Sequence, residues 1–546
     1  MLAAVLAVAS CARSAEAPPA AGERPTRLTV ASHGAARQVS GSLHVLDTGN
    51  ARWMIDCGAF YAEEGGEEAA REPASAAELP TGATSVAALF LTHAHTDHLG
   101  RVPQLIDAGF AGPIYLTAAT ATLADPMLRA QIRFDEQACR SWVWSRSARE
   151  RCERQRKSLW VHWRGCKLRE PIAADDAASA STTGEQLRRQ FAAESPRLKI
   201  ALCEACLDDH VAAIARQFRP LKYDEPKTLA AGVRVRLLDA GHVPGSASVM
   251  FEVEVGQRTW RVVFSGDLGH GGTSLFAGPQ PAPPADAAII EATYGPLRRA
   301  AAVAEQRRAF REAVAATVRD GGVAWIPAFA LDRTQKVLYE LRLTQQENLL
   351  PESLPIYCPS PTAKEVTRLY RAHQGDGWFY RQVAADAAAF APREVRATVP
   401  APSRLPRPCI LVSTSDITRT EWMRRMLREL LPDRNVAMLL VSYHAADSAA
   451  GRLKAGAKEL QIDDRPTPVR ARVLDFPCFS GHGDAGDVDR WLANLDRTAA
   501  VVLVHGSPEQ LAARADELRR GGRQRVVVAQ PGKPVDLLYP ASMPKR

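Results

Sequence analysis

The stretch Thr92-His93-Ala94-His95-Thr96-Asp97-His98-Leu99-Gly100 places three histidines and an aspartate within six residues. The apolar run Ala87–Leu91 precedes it and predicts a buried strand, so the polar residues lie on a loop at a strand end. Imidazole and carboxylate groups bind zinc, and this loop holds enough of them to begin two neighbouring metal sites. The alternative is a set of separate core histidines, each of which needs its own polar partner. The spacing therefore predicts metal binding.

Four other apolar runs end in the same way. They are predicted strands, and each leads within three residues to an acidic residue or a histidine: Trp53–Ile55 to Asp56, Trp260–Phe264 to Asp267, Ala287–Ile290 to Glu291, and Ala500–Val504 to His505. Polar residues at several carboxyl strand ends are typical of an α/β sheet with its site along one edge. We therefore expect one site to draw on all five strands.

The motif at residues 93–98 has the form HxHxDH, which resembles the second motif of the metallo-β-lactamase superfamily. The other motifs of that superfamily follow the same order along the chain. Asp56 in Asp-Cys-Gly resembles the first, His242 in Ala-Gly-His-Val-Pro-Gly-Ser the third, and Asp267 in Ser-Gly-Asp-Leu-Gly the fourth. A single Gly-His or Gly-Asp pair marks an ordinary turn, and only the set as a whole carries the resemblance.

The later part of the chain resembles the β-CASP branch of that superfamily. Glu291 in Glu-Ala-Thr-Tyr-Gly resembles its motif A, His482 in Phe-Ser-Gly-His-Gly-Asp its motif B, and His505 in Leu-Val-His-Gly its motif C. Residues 326–335 and Ser360-Pro361 resemble parts of the domain that this branch inserts. The resemblance implies an α/β fold, namely a four-layer αββα metallo-β-lactamase sandwich with an inserted α/β β-CASP domain.

The chain has 546 residues, of which 46% are hydrophobic, so more than one domain is expected. Residues 297–466 form a second predicted α/β unit. Residues on both sides of this unit contribute to one predicted site, so the unit is an insertion into the first domain. The predicted divisions are a terminal segment at 1–26, the first part of the metallo-β-lactamase domain at 27–296 with a Cys/Trp/Arg-rich insertion near 135–210, the β-CASP domain at 297–466, and the second part of the metallo-β-lactamase domain at 467–546.

The resemblance also implies a catalytic site with two Zn²⁺ ions. The implied ligands are His93, His95 and His242 for one ion, Asp97, His98 and His505 for the other, and Asp267 bridging both. Asp56 would orient these ligands, and a hydroxide between the ions would be the nucleophile. Two ions near each other also neutralise charge that gathers on a phosphodiester.

Glu291 and His482 have a different implied role. Glu291 would hold His482 in its protonated form, and that imidazolium would donate a proton to the leaving 3′-oxygen of RNA. The structural alternative is that Glu291 simply ends a strand at the surface and that His482 is a satisfied histidine.

His505 bears on the substrate because RNA-processing members of the family carry histidine at motif C, whereas DNA-repair members typically carry valine. The resemblance therefore implies a ribonuclease that acts on RNA, expected to be single-stranded, with DNA disfavoured. Endonuclease and 5′-exonuclease modes share these residues and both stay open. Two other classes also stay open: a hydrolase of this fold that acts on DNA or on small esters, and an inactive scaffold in RNA processing.

Parts of the inserted domain depart from the family pattern. The chain reads Cys358-Pro-Ser-Pro-Thr-Ala363, Ser413-Thr-Ser-Asp416 and Ala449-Ala450 where relatives have other residues. These stretches lie in the domain that clamps the RNA backbone in relatives. We therefore expect intact chemistry with a substrate groove of its own kind.

Five of the ten cysteines crowd into one segment that is also rich in Arg and Trp: Cys139, Cys152, Cys166, Cys203 and Cys206. The pair Cys203/Cys206 with two more distant thiols fits an additional structural zinc site, and unlinked buried thiols are the alternative. Interleaved Arg and Trp suit single-stranded RNA, but a solvated basic helix with inward tryptophans has the same composition.

Charge and the terminal segment give weaker indications. The formal charge of +8 suits a polyanionic partner and is also met in enzymes that never touch nucleic acid. The apolar start ends in Val-Ala-Ser-Cys11, which resembles a lipoprotein cleavage box, yet no Lys or Arg precedes it. We expect a cytoplasmic protein without a transmembrane span, with export or a lipid anchor at Cys11 as the alternative.

Overall fold

The computed structural model describes residues 24–60, 78–142, 204–299 and 302–538, except 352, 393–394, 419, 443 and 445–447; the side chains of 136–142 and 204–206 are also outside the description. In chain order the strands are β1 (Thr29–Gly34), β2 (Leu43–Asp47), β3 (Arg52–Ile55), β4 (Ala88–Phe90), β5 (Ile114–Leu116), β6 (Phe218–Pro220), β7 (Lys227–Ala230), β8 (Val233–Asp239), β9 (Ala247–Val255), β10 (Arg258–Phe264), β11 (Ala287–Glu291), β12 (Val323–Ala328), β13 (Ile356–Tyr357), β14 (Val395–Arg396), β15 (Cys409–Thr414), β16 (Val436–Leu440), β17 (Glu459–Ile462), β18 (Arg465–Pro468), β19 (Arg472–Asp475), β20 (Ala500–Val504), β21 (Arg525–Val528) and β22 (Val535–Asp536). The α-helices are α1 (Thr96–Leu99), α2 (Val102–Asp107), α3 (Ala118–Trp142), α4 (Glu204–Ala215), α5 (Val303–Arg319), α6 (Arg333–Gln346), α7 (Pro361–Ala372), α8 (Arg381–Ala385), α9 (Glu421–Leu430), α10 (Ala449–Lys454), α11 (Ala485–Trp491) and α12 (Pro508–Arg520).

Two seven-stranded sheets form the central layers. Their strand orders are β22-β1-β2-β3-β4-β5-β6 and β21-β20-β11-β10-β9-β8-β7. A core between them contains Trp53, Phe90 and Phe251, and the rings of Phe90 and Phe251 meet edge to face with centroids 5.2 Å apart. Side chains alternate across a strand, so each sheet also presents an outer apolar face that must be covered.

Helices cover both outer faces. On the first sheet, Leu89 packs in one cluster with Leu105 of α2 and Leu123 of α3. On the second sheet, Leu503 packs in one cluster with Trp491 of α11. The order helix, sheet, sheet, helix confirms the predicted αββα sandwich.

The inserted unit is a separate α/β layer structure. Its six-stranded sheet runs β14-β13-β15-β12-β16-β19, and its strand pairs are all parallel. Both faces are covered: Ile326 clusters with Phe310 of α5, and Trp325 clusters with Met426 of α9. This explains why β12 is buried at every position and reads as a continuous apolar run.

The sheet of the inserted unit continues past residue 466. Strand β19 forms the edge of that sheet and pairs in parallel with β16, with Asp475 opposite Leu440. The return to the sandwich therefore follows Asp475, about one strand later than the apolar pattern alone suggested. The division of the chain into functional units stays a prediction.

The strands that carry the predicted site end at one edge. Parallel pairing joins β3 to β4, β10 to β11 and β11 to β20. Parallel strands bring their carboxyl ends together, so the residues that follow them face a common space. The one-turn helix α1 then positions Asp97 and His98 immediately after β4.

Candidate metal centre

Asp56 organises the start of the site from the end of β3. It accepts hydrogen bonds from the Thr92 backbone N–H at Oδ1 (2.8 Å) and from the His98 Nδ1–H at Oδ2 (2.6 Å). The Asp56 side chain is buried, and its backbone has a φ of 61°, a region that is uncommon outside glycine. A carboxylate on Nδ1 fixes the tautomer of an imidazole and leaves Nε2 free as a ligand atom. Asp56 therefore positions His98.

We predict that Asp56→Ala lowers the metal affinity of the protein by about 10- to 100-fold, the range found when an outer-shell partner is removed. The ring of His98 then loses the group that orients it. Metal titration followed by fluorescence or calorimetry measures this change. Ser85→Ala, at an exposed hydroxyl away from the site, is the control, and equal affinity in both variants would contradict the role.

The first cluster of candidate ligands contains His93, His95, His242 and Asp267, whose ligand atoms lie within 4.8 Å of one another. The Nε2 atoms of His93 and His242 are each 3.6 Å from Oδ2 of Asp267. The Nδ1–H of His242 donates to the Gly481 carbonyl at 2.9 Å, which turns its Nε2 toward the cluster. This geometry suits one metal ion.

The second cluster contains Asp97, His98, Asp267 and His505, again within 4.8 Å. The Nε2 atoms of His98 and His505 lie 3.2 and 3.6 Å from Oδ1 of Asp267, and His505 Nε2 lies 3.6 Å from Oδ2 of Asp97. The two oxygens of Asp267 thus face different clusters. The structure brings together all seven residues predicted as ligands, in the predicted division, and their binding of metal stays a prediction.

Three buried atoms of the second cluster test whether a cation fits. Within the described part of the chain, His98 Nε2, His505 Nε2 and Asp267 Oδ1 make no hydrogen bond. Buried polar atoms are nearly always satisfied, because leaving one unpaired costs about 1–3 kcal/mol. A cation placed among these atoms satisfies all three. The residues present therefore fit a metal ion.

The electrostatics of the clusters favour the same conclusion. Burial lowers the pKa of His95 to about 4 and the pKa values of His93 and His242 well below their usual range, so these rings are neutral. Burial opposes ionisation of Asp267, yet His505 and the other nearby imidazoles hold its pKa well below the usual value. The neutral rings of the first cluster are in the protonation state that binds metal. Burial opposes protonation of His98 and His505, yet Asp267 raises the pKa values of both, so a metal ion at the second cluster would have to displace their protons.

Glu291 and His482 form a hydrogen-bonded pair beside the clusters. The Nδ1 of His482 lies 3.1 and 3.2 Å from the two oxygens of Glu291 and 3.8 Å from Asp267. Glu291 is buried and also accepts from the backbone N–H of Leu268 at 2.7 Å. Since Nδ1–H donates to Glu291, the Nε2 of His482 is the atom that can exchange a proton.

The backbone that carries His482 is held by Arg299. Its Nη2 donates to the His482 carbonyl at 2.6 Å, and its backbone N–H donates to Asp484 Oδ2 at 2.9 Å. Asp484 also caps α11 in a reciprocal capping box with Asp487. Hydrogen bonds from Leu268 and Arg299 therefore hold Glu291 and His482, respectively, in position.

The sequence did not single out Thr293, although it stands two residues after Glu291. Its hydroxyl donates to Glu291 Oε2 at 2.5 Å and lies 2.9 Å from Nδ1 of His505. The hydroxyl accepts the Nδ1–H of His505, so the Nε2 of that ring faces Asp267. The Gly481 carbonyl was missed in the same way, because a backbone acceptor leaves no mark on the sequence.

Most of the cysteine-rich segment lies outside the residues that the structure describes. Cys152, Cys166 and Cys203 lie outside the described residues, as do the side chains of Cys139 and Cys206. The N-terminal segment with Cys11 is outside them too. The proposed structural zinc and lipid anchor stay predictions. No helix in the described ranges is both long and apolar enough to cross a bilayer.

An αββα sandwich whose strand ends gather two adjoining His/Asp clusters defines a metallohydrolase of the metallo-β-lactamase fold. Comparison with family models gives the same class: residues 36–151 match the metallo-beta-lactamase superfamily, 334–453 the Beta-Casp domain, and 466–529 a Zn-dependent metallo-hydrolase RNA specificity domain. The chain belongs to the β-CASP family of these metallohydrolases.

Individual relatives support this assignment over most of the chain. Ribonuclease TTHA0252 of Thermus thermophilus is 30% identical over 515 residues, covering 92% of this chain and 98% of the relative. Transcription termination factor FttA of Methanosarcina mazei is 24% identical, covering 87% of this chain and 66% of the relative. An RNase J-like protein of Methanocaldococcus jannaschii is 26% identical, covering 57% of this chain and 72% of the relative.

Proposed function

We propose that this protein is a zinc-dependent ribonuclease that hydrolyses RNA phosphodiester bonds, as an endonuclease, a 5′-exonuclease or both. The observation that carries the proposal is the pair of His482 and Glu291 beside two metal-binding clusters that share Asp267. A proton donor next to two metal positions matches the needs of phosphodiester hydrolysis. The name of the ribonuclease from Thermus thermophilus, which aligns over nearly its full length, supports RNA as the substrate.

Two zinc ions per chain are the proposed cofactors. His93, His95 and His242 would hold one, Asp97, His98 and His505 the other, and Asp267 both; this assignment rests on the geometry of the clusters. When bound, the ions lower the pKa of water to near neutral and offset the negative charge of the phosphodiester. Imidazole-rich sites with carboxylates are typical of zinc.

The protein's own residues supply the proton for the leaving group. Glu291, which is buried, accepts the hydrogen bond from Nδ1–H of His482, and Nε2 of the same ring donates its proton to the 3′-oxygen as that oxygen leaves. Thr293 and Arg299 hold the two members in place. Water then supplies the hydroxyl on the 5′-phosphate, and the departing ribose carries a 3′-hydroxyl.

Single-stranded RNA is the proposed form of the substrate. His505 occupies the position at which the family's RNA-processing members carry histidine, and its Nε2 lies within the second cluster. The cytoplasm is the proposed location, where RNA is available. Incubating the purified protein with labelled single-stranded RNA, with and without a chelator, tests the function directly. Cleavage that the chelator abolishes is expected, and the absence of any cleavage by the zinc-loaded protein would refute the proposal.

We predict that the wild-type protein purifies with about two zinc ions per chain at this centre. His95→Ala should lose catalytic metal because His95 lies among His93, His242 and Asp267. Elemental analysis of both proteins measures the difference. His373→Ala, at a half-buried histidine that stacks on Trp378 away from the clusters, is the matched control and should keep its metal. A wild-type protein without any transition metal would remove this part of the proposal.

A further inference from the structure

A second group of charged side chains lies beside the metal clusters, at the N-terminal end of α6. It consists of Asp332, Arg333 and Lys336, which are 0, 4 and 3% exposed. Oδ2 of Asp332 pairs with Nη1 of Arg333 at 3.0 Å and with Nζ of Lys336 at 2.6 Å. None of the three belongs to the metal-binding set.

The charges of this group do not balance. Among the described residues, the ion pairs give Arg333 and Lys336 one carboxylate between them. Nε of Arg333 and Oδ1 of Asp332 are buried there without a hydrogen bond. An uncompensated buried cation is costly, so a group with one surplus positive charge is suited to receive an anion.

The backbone of Asp332 has a strained conformation that brings its carboxylate to the side chain of Arg333. Its φ of 71° and ψ of −52° lie in a region that a residue with a side chain rarely adopts, and the residue is fully buried. Such strain costs about 1–3 kcal/mol and persists where the surroundings require it. Here it places the carboxylate directly against the guanidinium of the next residue.

Arg333 lies at the rim of the first metal cluster. A Cβ on Gly481 would be 2.7 Å from Nη1 of Arg333 and 2.5 Å from Cε1 of His242, so both side chains lie against the same glycine.

We propose that Arg333, held by Asp332 and reinforced by Lys336, binds a phosphate group of the RNA chain at or next to the bond that is cut. The inference rests on the proposed function and deepens it. The planar guanidinium fork matches the oxygens of a phosphate, and a charged hydrogen bond of this kind strengthens binding by about ten- to a hundredfold. Asp332 and Lys336 act as positioning residues.

The test uses the zinc-loaded protein with two probes. Inorganic phosphate is titrated while the thermal unfolding temperature is followed, in the wild type, Arg333→Met and Arg333→Lys. A short labelled single-stranded RNA is bound in the His482→Ala background, alone and with each Arg333 substitution, over a range of salt concentrations. Arg319→Met, at an exposed arginine of the same unit, controls for the loss of one positive charge.

Phosphate should stabilise the wild type and Arg319→Met and have a reduced effect on Arg333→Met. RNA affinity should fall by about ten- to a hundredfold in Arg333→Met, and the slope of log K against log salt should flatten by about 0.7, as for one lost phosphate contact on a single strand. Arg333→Lys keeps the positive charge but lacks the planar guanidinium, so its RNA affinity should lie between those of the wild type and Arg333→Met. A purely structural role would leave the salt slope and the phosphate effect unchanged.

The outcomes separate the inference from the function. If the wild type cleaves RNA and the Arg333 variants match Arg319→Met in both assays, the phosphate site is wrong and the ribonuclease stands. If RNA is neither bound nor cleaved while phosphate stabilises the wild type more than Arg333→Met, the phosphate site stands and RNA is wrong. If Arg333→Met does not fold, Arg333→Lys replaces it in both assays. An RNA affinity and a phosphate stabilisation of Arg333→Lys that both equal those of the wild type would overturn the inference.

Discussion

His482→Ala is expected to keep both metal ions while its turnover of RNA falls by roughly 10²- to 10⁴-fold, the range that general acid catalysis supplies. The reason is geometric, because His482 faces Glu291 at 3.1 Å through Nδ1 and is not required by either four-residue cluster.

The measurements are single-turnover cleavage rates together with elemental analysis. Glu291→Gln should reduce the rate in the same direction, because the amide no longer stabilises an imidazolium, and His373→Ala should behave like the wild type. Unchanged cleavage by His482→Ala would remove the proposed role. Loss of metal from it would make His482 a ligand, an arrangement that its proximity to Glu291 and His505 also allows.

His505→Val should lose the second metal ion and depress RNA cleavage by more than about a hundredfold, since the chemistry needs both ions. His505 has a φ of 54°, where a β-branched residue is strained, so valine disturbs the backbone as well as the ligand. His505→Asn separates the two effects because asparagine tolerates that conformation. A similar loss of metal in both variants assigns the effect to the imidazole.

Cleavage of RNA and of single-stranded DNA of the same sequence should be compared in these variants. We expect the wild type to prefer RNA and the loss in His505→Val to be general for every RNA tested. If the wild type degraded the DNA as fast as the RNA and His505→Val altered neither, the histidine would carry no information about the substrate. The assignment of RNA would then have to be withdrawn.

Short sequence patterns were enough to predict buried strands and a metal-binding loop, and the resemblance to the β-CASP family supplied the αββα sandwich and the full set of candidate ligands. The loop that contains His93 and His98 holds four candidate ligands within six residues, and apolar runs identify the strands that lead to Asp267 and Glu291. Such signals are short in range, because a strand and the residue after it are adjacent in sequence. The structure places each of these residues at the predicted edge.

Contacts between distant segments were not predictable in this way. The Gly481 carbonyl accepts from His242, which lies 239 positions away, and Thr293 reaches His505 across 212 positions. The charge cluster around Arg333 was not predictable either, because the sequence of residues 326–335 does not show that Arg333 will pack against Gly481. Edge strand β19 was not predicted because it is only four residues long and begins and ends with a charged residue, which leaves no clear apolar pattern.

The order of the strands has a consequence for the protein while it is being made. Strand β20, which ends at His505, lies between β11 and β21 in its sheet, and β22 closes the other sheet against β1. A nascent chain on the ribosome therefore carries the HxHxDH loop long before the strand that completes the second cluster has left the exit tunnel. For the ribonuclease proposed here, the cutting centre therefore cannot be assembled before the chain has been made as far as His505.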